Sequence, residues 1–186
     1  MASPIRLLGI SGSLRKKSYN TAALMAAQSL VPDGETFDTF ELGGIPLYNE
    51  DIRAQGWPEI VVSLREKIAA ADGLMIVTPE YNYSVSGVLK NAIDWASRPP
   101  NQPFDGKPIA IMSASTGMLG GARAQYHLRQ TFVFLNGRIL NRPEVMIAAA
   151  PTRFDDEGKL RDEPTRELIG KLVMALVDAA RLQKSD

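Results

Sequence analysis

The stretch GISGSLRKKSYNTAA, residues 9–23, passes from one kind of element to another. Ile5 to Ile10 is an apolar run of the length of a buried strand. Thr21 to Leu30 is alanine-rich with helical spacing, and Asn20 stands where a helix cap is expected. Between them lie Ser11, Ser13, Arg15, Lys16, Lys17 and Ser18. A strand that ends in small polar residues and feeds a helix is the opening of an α/β unit, and the rest of the chain repeats it.

Thr36 to Leu42 reads as a second strand, and a second helix follows Pro58, with Ile60, Leu64 and Ile68 on one face. Leu74 to Thr78 is a third strand, stopped by Pro79. VLKNAIDWA, from Val88, resumes helical spacing. Pro108 to Ser113 is a fourth strand, Ala124, Leu128, Phe132 and Leu135 share a helical stripe, and VMIAA from Val145 is a fifth strand. Leu168, Leu172 and Leu176 mark a closing helix. The strands are continuously apolar, as strands covered on both faces must be. The expectation is a five-stranded parallel sheet with helices on both faces, in the flavodoxin-like order 2-1-3-4-5, forming a single domain over residues 1–186. In that order the ligand crevice lies at the carboxyl ends of strands one and three.

Composition limits the chemistry. Lysine plus arginine is 21 and aspartate plus glutamate is 21, so the basic excess of a nucleic-acid footprint is missing. With no cysteine and His127 as the single histidine, the chain has no thiolate nucleophile, disulfide framework, Cys/His zinc site or convincing serine-histidine triad. Its chemistry is expected to come from a cofactor. The apolar run in MASPIRLLGI is too short for a signal-peptide core or a membrane span, so the expected compartment is the cytoplasm, with no membrane and no nucleic-acid partner.

Three loops leave the same end of the sheet. The first, Ser11 to Asn20, feeds a helix amino terminus, where unpaired N–H groups and the helix dipole favour an anion. Its hydroxyls, the Asn20 amide and the Arg15 charge match a phosphate monoester; the same residues also suit a solvated loop with a helix cap. Neither the triphosphate-loop pattern nor G-x-G-x-x-G is present. The second loop, in TPEYNYSVSGVLKNAIDW from Thr78, places Tyr81 and Tyr83 around Asn82. They read either as aromatic surface for a flat heterocycle or as half-buried anchors, with Ser86 as a helix cap. The third, SASTGMLGGARA from Ser113, has Gly117, Gly120 and Gly121, suited to close approach of a ligand or to turns.

GSLRKKSYN (12–20), PEYNYSVSGVLKNAIDW (79–95) and GGARAQYHLRQ (120–130) closely resemble the NADPH-dependent FMN reductase family, in particular its chromate reductase and quinone reductase members. The resemblance runs from the first strand to about Pro143. It implies a flavodoxin-like fold, bound FMN, NADPH or NADH as electron donor, and an oligomeric soluble enzyme, a homodimer or homotetramer. Quinones, flavins, azo compounds or oxidised metal ions such as chromate would be its small-molecule electron acceptors, reduced in a ping-pong hydride-transfer cycle. Carried over by position, Ser13, Arg15, Ser18 and Asn20 would hold the FMN phosphate, with Leu14 along the same loop and Ser11 at its start among the cofactor-binding residues. Pro79, Glu80, Tyr81, Asn82 and Tyr83 would border the isoalloxazine, and Ser115, Thr116 and Gly117 its other edge.

No side chain is expected to be catalytic and no metal to be bound, because hydride passes between the two cofactors' rings. His127 is read as an exposed or interface residue. Phe132 to Leu135 is a run of four apolar residues where a helix buries one stripe, which points to a subunit contact. A non-catalytic carrier of flavodoxin type is the alternative; such carriers are typically acidic, and this chain is neutral.

Overall fold

The alternation is present in the computed structural model, which describes residues 3–185. Met1, Ala2 and Asp186, the ends of the expected domain, lie outside the described residues. β1 (Arg6–Ser11) leads to α1 (Tyr19–Gln28), β2 (Thr36–Phe40), α2 (Glu50–Gln55), α3 (Glu59–Ala70) and β3 (Gly73–Thr78). A small hairpin follows, β4 (Glu80–Tyr81) and β5 (Ser84–Val85). Then come α4 (Gly87–Ala96), β6 (Pro108–Ala114), α5 (Ala122–Phe134), β7 (Arg138–Ile139), β8 (Val145–Ile147) and α6 (Glu163–Ser185).

The main sheet is parallel, in the order β2-β1-β3-β6-β7, with β8 also pairing β6. Alternate residues of each strand feed opposite faces. Leu7, Met75, Val77, Ala110 and Met112 join Ala23, Leu24, Leu172 and Leu176 of α1 and α6. Leu8, Ile10, Leu74, Ile76 and Ile111 join Leu64, Ile68, Ile93, Leu128 and Phe132 of α3, α4 and α5. Each such leucine, isoleucine, valine, methionine or phenylalanine side chain, fully buried, contributes about 1.5–3 kcal/mol, and each alanine less, which is why the strand runs read as apolar throughout.

Three local features differ from the sequence-based reading. The cap of α1 is Ser18, whose hydroxyl accepts from the amides of Asn20 at 3.2 Å and Thr21 at 3.4 Å, so the helix begins two residues earlier than expected. The fifth sheet position is shared: β7 pairs with Pro108 and Ile109 at the start of β6, and β8 with Met112 to Ala114 at its end. The strand expected at Val145 is only the second of these pieces. Pro143, between them, has no N–H to offer a ladder. The third feature is α2, a short helix capped by Asn49, whose six residues are too few to show a periodic stripe.

Candidate active site

The carboxyl ends of β1, β3 and β6 deliver the three loops to one place. A cavity of about 170 Å3 is bordered there by Ser13, Arg15, Ser18, Tyr19 and Asn20 of the first loop, Pro79, Glu80 and Tyr81 of the second, and Ala114, Ser115 and Thr116 of the third.

The first loop is fixed from both ends. Gly12 donates its amide to the Val77 carbonyl at 2.8 Å, and its own carbonyl accepts from the Ser86 hydroxyl at 2.6 Å. Ser86 also caps α4, accepting from the Leu89 amide, so the start of the loop is tied to β3 and α4 together. Ser11 Oγ and Thr21 Oγ1 lie 2.9 Å apart across the loop. The Arg15 guanidinium lies 5.5 Å from the Tyr19 ring, which in turn packs on Phe154 at 5.6 Å between centroids. Arg15, Lys16 and Lys17 form no ion pair with a carboxylate among the described residues.

The second loop is the β4–β5 hairpin. Its two turn residues, Asn82 and Tyr83, both have positive φ, 48° and 67°, the requirement of the two-residue turn that matches strand twist. Asn tolerates that conformation; for Tyr83 it is strained. The Arg123 guanidinium 3.8 Å from the Tyr83 ring centroid helps hold it there. The Glu80 carboxylate accepts from the amides of Arg123 and Ala124 at 3.0 and 3.2 Å, and pairs with the Arg123 guanidinium at 3.2 Å. It thus caps α5, whose own preceding residue, Gly121, supplies no side-chain cap. The Glu80 carboxylate is committed to α5, while Tyr81 and Tyr83 are 54% and 64% exposed; they are not half-buried anchors.

The third loop begins at Ser113, buried, whose hydroxyl donates to the Gly120 carbonyl at 2.6 Å and accepts from Gln125 Nε2 at 2.8 Å. Gly120 and Gly121 serve the turn, the second of the two uses the sequence allowed them. Both have positive φ, and a Cβ at Gly120 would stand 2.6 Å from the Met146 main chain, one at Gly121 2.7 Å from Ser113. Their lack of a side chain lets the loop pack on β8 and β6. Ser115 remains free to organise the tip, its hydroxyl accepting from the Gly117 amide at 3.1 Å.

Of the residues expected from sequence, nine line this cavity: Ser13, Arg15, Ser18, Asn20, Pro79, Glu80, Tyr81, Ser115 and Thr116. Ser11 and Leu14 line a neighbouring hollow instead, and Asn82, Tyr83 and Gly117 are not in the lining of either. Asn20 is there too, and its side-chain amide also ties two loops together: Nδ2 donates one hydrogen to the Ala114 carbonyl at 3.0 Å and Oδ1 accepts from the Ala114 amide at 2.8 Å. Tyr19 and Ala114 line the cavity and were not anticipated. The signal for Tyr19 was its place beside Ser18 at the start of a helix; for Ala114 there was none. His127, read as an exposed or interface residue, is exposed, with Nδ1 3.0 Å from Ser84 Oγ on the hairpin.

The donor set fits a phosphate-bearing flat ligand. Hydroxyls, the amino end of α1 and an arginine without a carboxylate partner gather on one side. Pro79 to Tyr81 of the hairpin and Ala114 to Thr116 of the third loop complete the lining. Among the described residues no group of three or more His, Cys, Asp or Glu is placed to hold a metal ion, and no helix is long and apolar enough to cross a membrane.

Comparison with known proteins agrees with this arrangement. The model of the family described as NADPH-dependent FMN reductase matches residues 5–152. An NAD(P)H-dependent FMN reductase of Pseudomonas aeruginosa is 60% identical over 176 residues, covering 95% of both chains. A quinone reductase of Escherichia coli is 43% identical over 176 residues, covering 92% of this chain and 94% of its own. Among solved structures, the flavoenzyme NAD(P)H:(acceptor) oxidoreductase FerB from Paracoccus denitrificans superposes with a TM-score of 0.86 at 34% identity, covering 95% of this chain and 97% of that one. From strand-end loops to overall order, the chain belongs to the NADPH-dependent FMN reductase family.

Proposed function

We propose that this protein is an FMN-dependent NAD(P)H oxidoreductase that reduces quinone-type and other small acceptors in a ping-pong cycle. The observation that carries the reading is the convergence of Arg15, which makes no ion pair with a carboxylate among the described residues, the Ser18 cap, and residues of the hairpin and the Ser115 loop on one cavity at the switch point of the sheet. FMN, when bound, supplies hydride acceptance and return.

The chain's own residues bind and orient. Ser13, Ser18, Arg15 and the amino end of α1 hold the phosphate. The main chain of Pro79 to Tyr81 and the tip at Ser115 and Thr116 set the plane of the ring and offer N–H donors toward the edge where negative charge accumulates on reduction. Asn20 acts one step back, holding the first and third loops together through Ala114. Tyr81 and Tyr83, exposed at the rim, shape the open face on which donor and acceptor take turns.

A homo-oligomer, a dimer or a tetramer, suits the surface: Val133 and Phe134 at the end of α5 are 80% and 89% exposed while Phe132 beside them is buried. A cytoplasmic location, where nicotinamide cofactors are regenerated, fits the same reading.

The test of the site is comparative ligand binding. Arg15→Ala is expected to weaken FMN binding by roughly 1.5 kcal/mol or more, the range for hydrogen bonds to charged groups, and to leave riboflavin binding unchanged. Equal affinity of the wild-type protein for FMN and riboflavin would remove the phosphate assignment.

A further inference from the structure

The first loop has a second hollow on its other side. It lies between Ser11 to Lys16 and the end of β2 at Thr39 to Gly43, with a volume of about 470 Å3. Sites that enclose small organic ligands run from about 300 to 1,000 Å3, so this one is large enough for a nucleoside. The flavin crevice of this fold opens on the β3 side of β1, whereas this hollow opens on the β2 side.

Its lining is mixed in a specific way. Leu24, Phe40 and Leu42 give an apolar wall, and Leu14 and Met25, 61% and 41% exposed, leave uncovered apolar surface beside it. A flat heterocycle would cover that surface. Arg15 borders both cavities; Lys16 borders only this one. Neither makes an ion pair with a carboxylate among the described residues. One phosphate monoester beside Arg15 leaves Lys16 without an anion. Glu41, at the carboxyl end of β2, is the carboxylate in the lining.

Resting on the reading of the first cavity as the FMN site, we propose that this second hollow receives the adenosine end of the nicotinamide dinucleotide, and that Lys16 and Glu41 set the choice between NADPH and NADH. Lys16 attracts a ribose 2′-phosphate. Glu41 repels that phosphate and accepts a hydrogen bond from a free 2′-hydroxyl, the use a carboxylate near the end of a second strand has in dinucleotide folds. The shared border at Ser13 and Arg15 lets one dinucleotide reach from this hollow past the phosphate pocket toward the open face.

Calorimetry on the FMN-loaded protein, with 2′,5′-ADP and 5′-AMP as probes, decides it. The expected result is saturable binding of 2′,5′-ADP, weakened about tenfold in Lys16→Ala, tightened in Glu41→Gln, and lost in Gly43→Trp. A Cβ at Gly43, which borders the hollow, meets nothing within 4 Å and its backbone needs no special conformation, so a large side chain is expected to be accepted there and to obstruct the hollow, with the circular dichroism spectrum and FMN retention of the variant checking that the fold is kept. The ratio of kcat/KM for NADPH to that for NADH should fall in Lys16→Ala and rise in Glu41→Gln. Absence of 2′,5′-ADP binding, or binding unchanged in both Lys16→Ala and Gly43→Trp, overturns the proposal. Retention of FMN, read from flavin fluorescence quenching on the same samples, reports on the first cavity separately. A wild-type protein that does not hold FMN sinks the flavin reading, and probe binding to it still decides this site.

Discussion

The side-chain amide of Asn20 and the main chain of Ala114 form a closed pair, 94 residues apart in sequence, with both polar atoms of the amide used at 3.0 and 2.8 Å. The pair joins the start of α1 to the end of β6, the two elements that carry the first and third loops of the site. Asn20→Ala leaves two buried main-chain groups unpaired, and is expected to destabilise the protein by roughly 2–6 kcal/mol, at about 1–3 kcal/mol for each unsatisfied group. Urea unfolding measures it. Asn20→Asp should recover part of the loss by keeping the acceptor for the Ala114 amide, whereas a neutral Asn20→Ala would show that the pair is incidental.

That pair also shows where sequence reading reaches its limit. The three loops, their order and the sheet were legible because buried strands must be apolar and loops at their carboxyl ends carry the polar residues. Ser18 and Asn20 are both good cap residues, and choosing between them needed Ala114, which no local pattern reveals. Gly120 and Gly121 were legible as special positions but not as to purpose, since a glycine looks the same whether a ligand or Met146 approaches it. The hairpin at Asn82 and Tyr83 lacked the usual Asn-Gly signal; the Arg123 contact that helps hold Tyr83 at positive φ comes from another element.

Acid should loosen the closing helix at Glu35. Its carboxylate accepts hydrogen bonds from the Ile5 amide and from Arg181 of α6. The Ile5 amide first, and then Arg181, hold its pKa below the ordinary value of 4.5 against the opposing effect of burial. A carboxyl depressed in the folded state contributes stability that is fully present above its unfolded pKa and is lost as pH falls through the lowered value. Glu35→Gln is therefore expected to be less stable than wild type at neutral pH and to show a shallower decline below about pH 4.5. Thermal unfolding across pH checks this; parallel curves for the two proteins would contradict it.

Assembly is expected to depend on the exposed end of α5. Phe134→Asp, at a position 89% exposed, removes apolar surface without entering the core, so it should shift the protein to a smaller species in light scattering while leaving the folded spectrum intact. A wild-type protein that is monomeric at micromolar concentration with FMN bound would contradict the subunit contact.

The bound flavin is proposed to take electrons from a nicotinamide and give them to a small acceptor, with no carrier partner needed. Anaerobic stopped-flow mixing of the FMN-loaded protein with NADPH or NADH tests it most directly. The expected result is rapid bleaching of the flavin's visible absorbance by at least one of the two, full recovery of the colour on adding a quinone, and parallel initial-rate lines in the steady state. A flavin that stays oxidised in the presence of both nicotinamides, yet bleaches with a chemical reductant, would contradict it and favour a carrier.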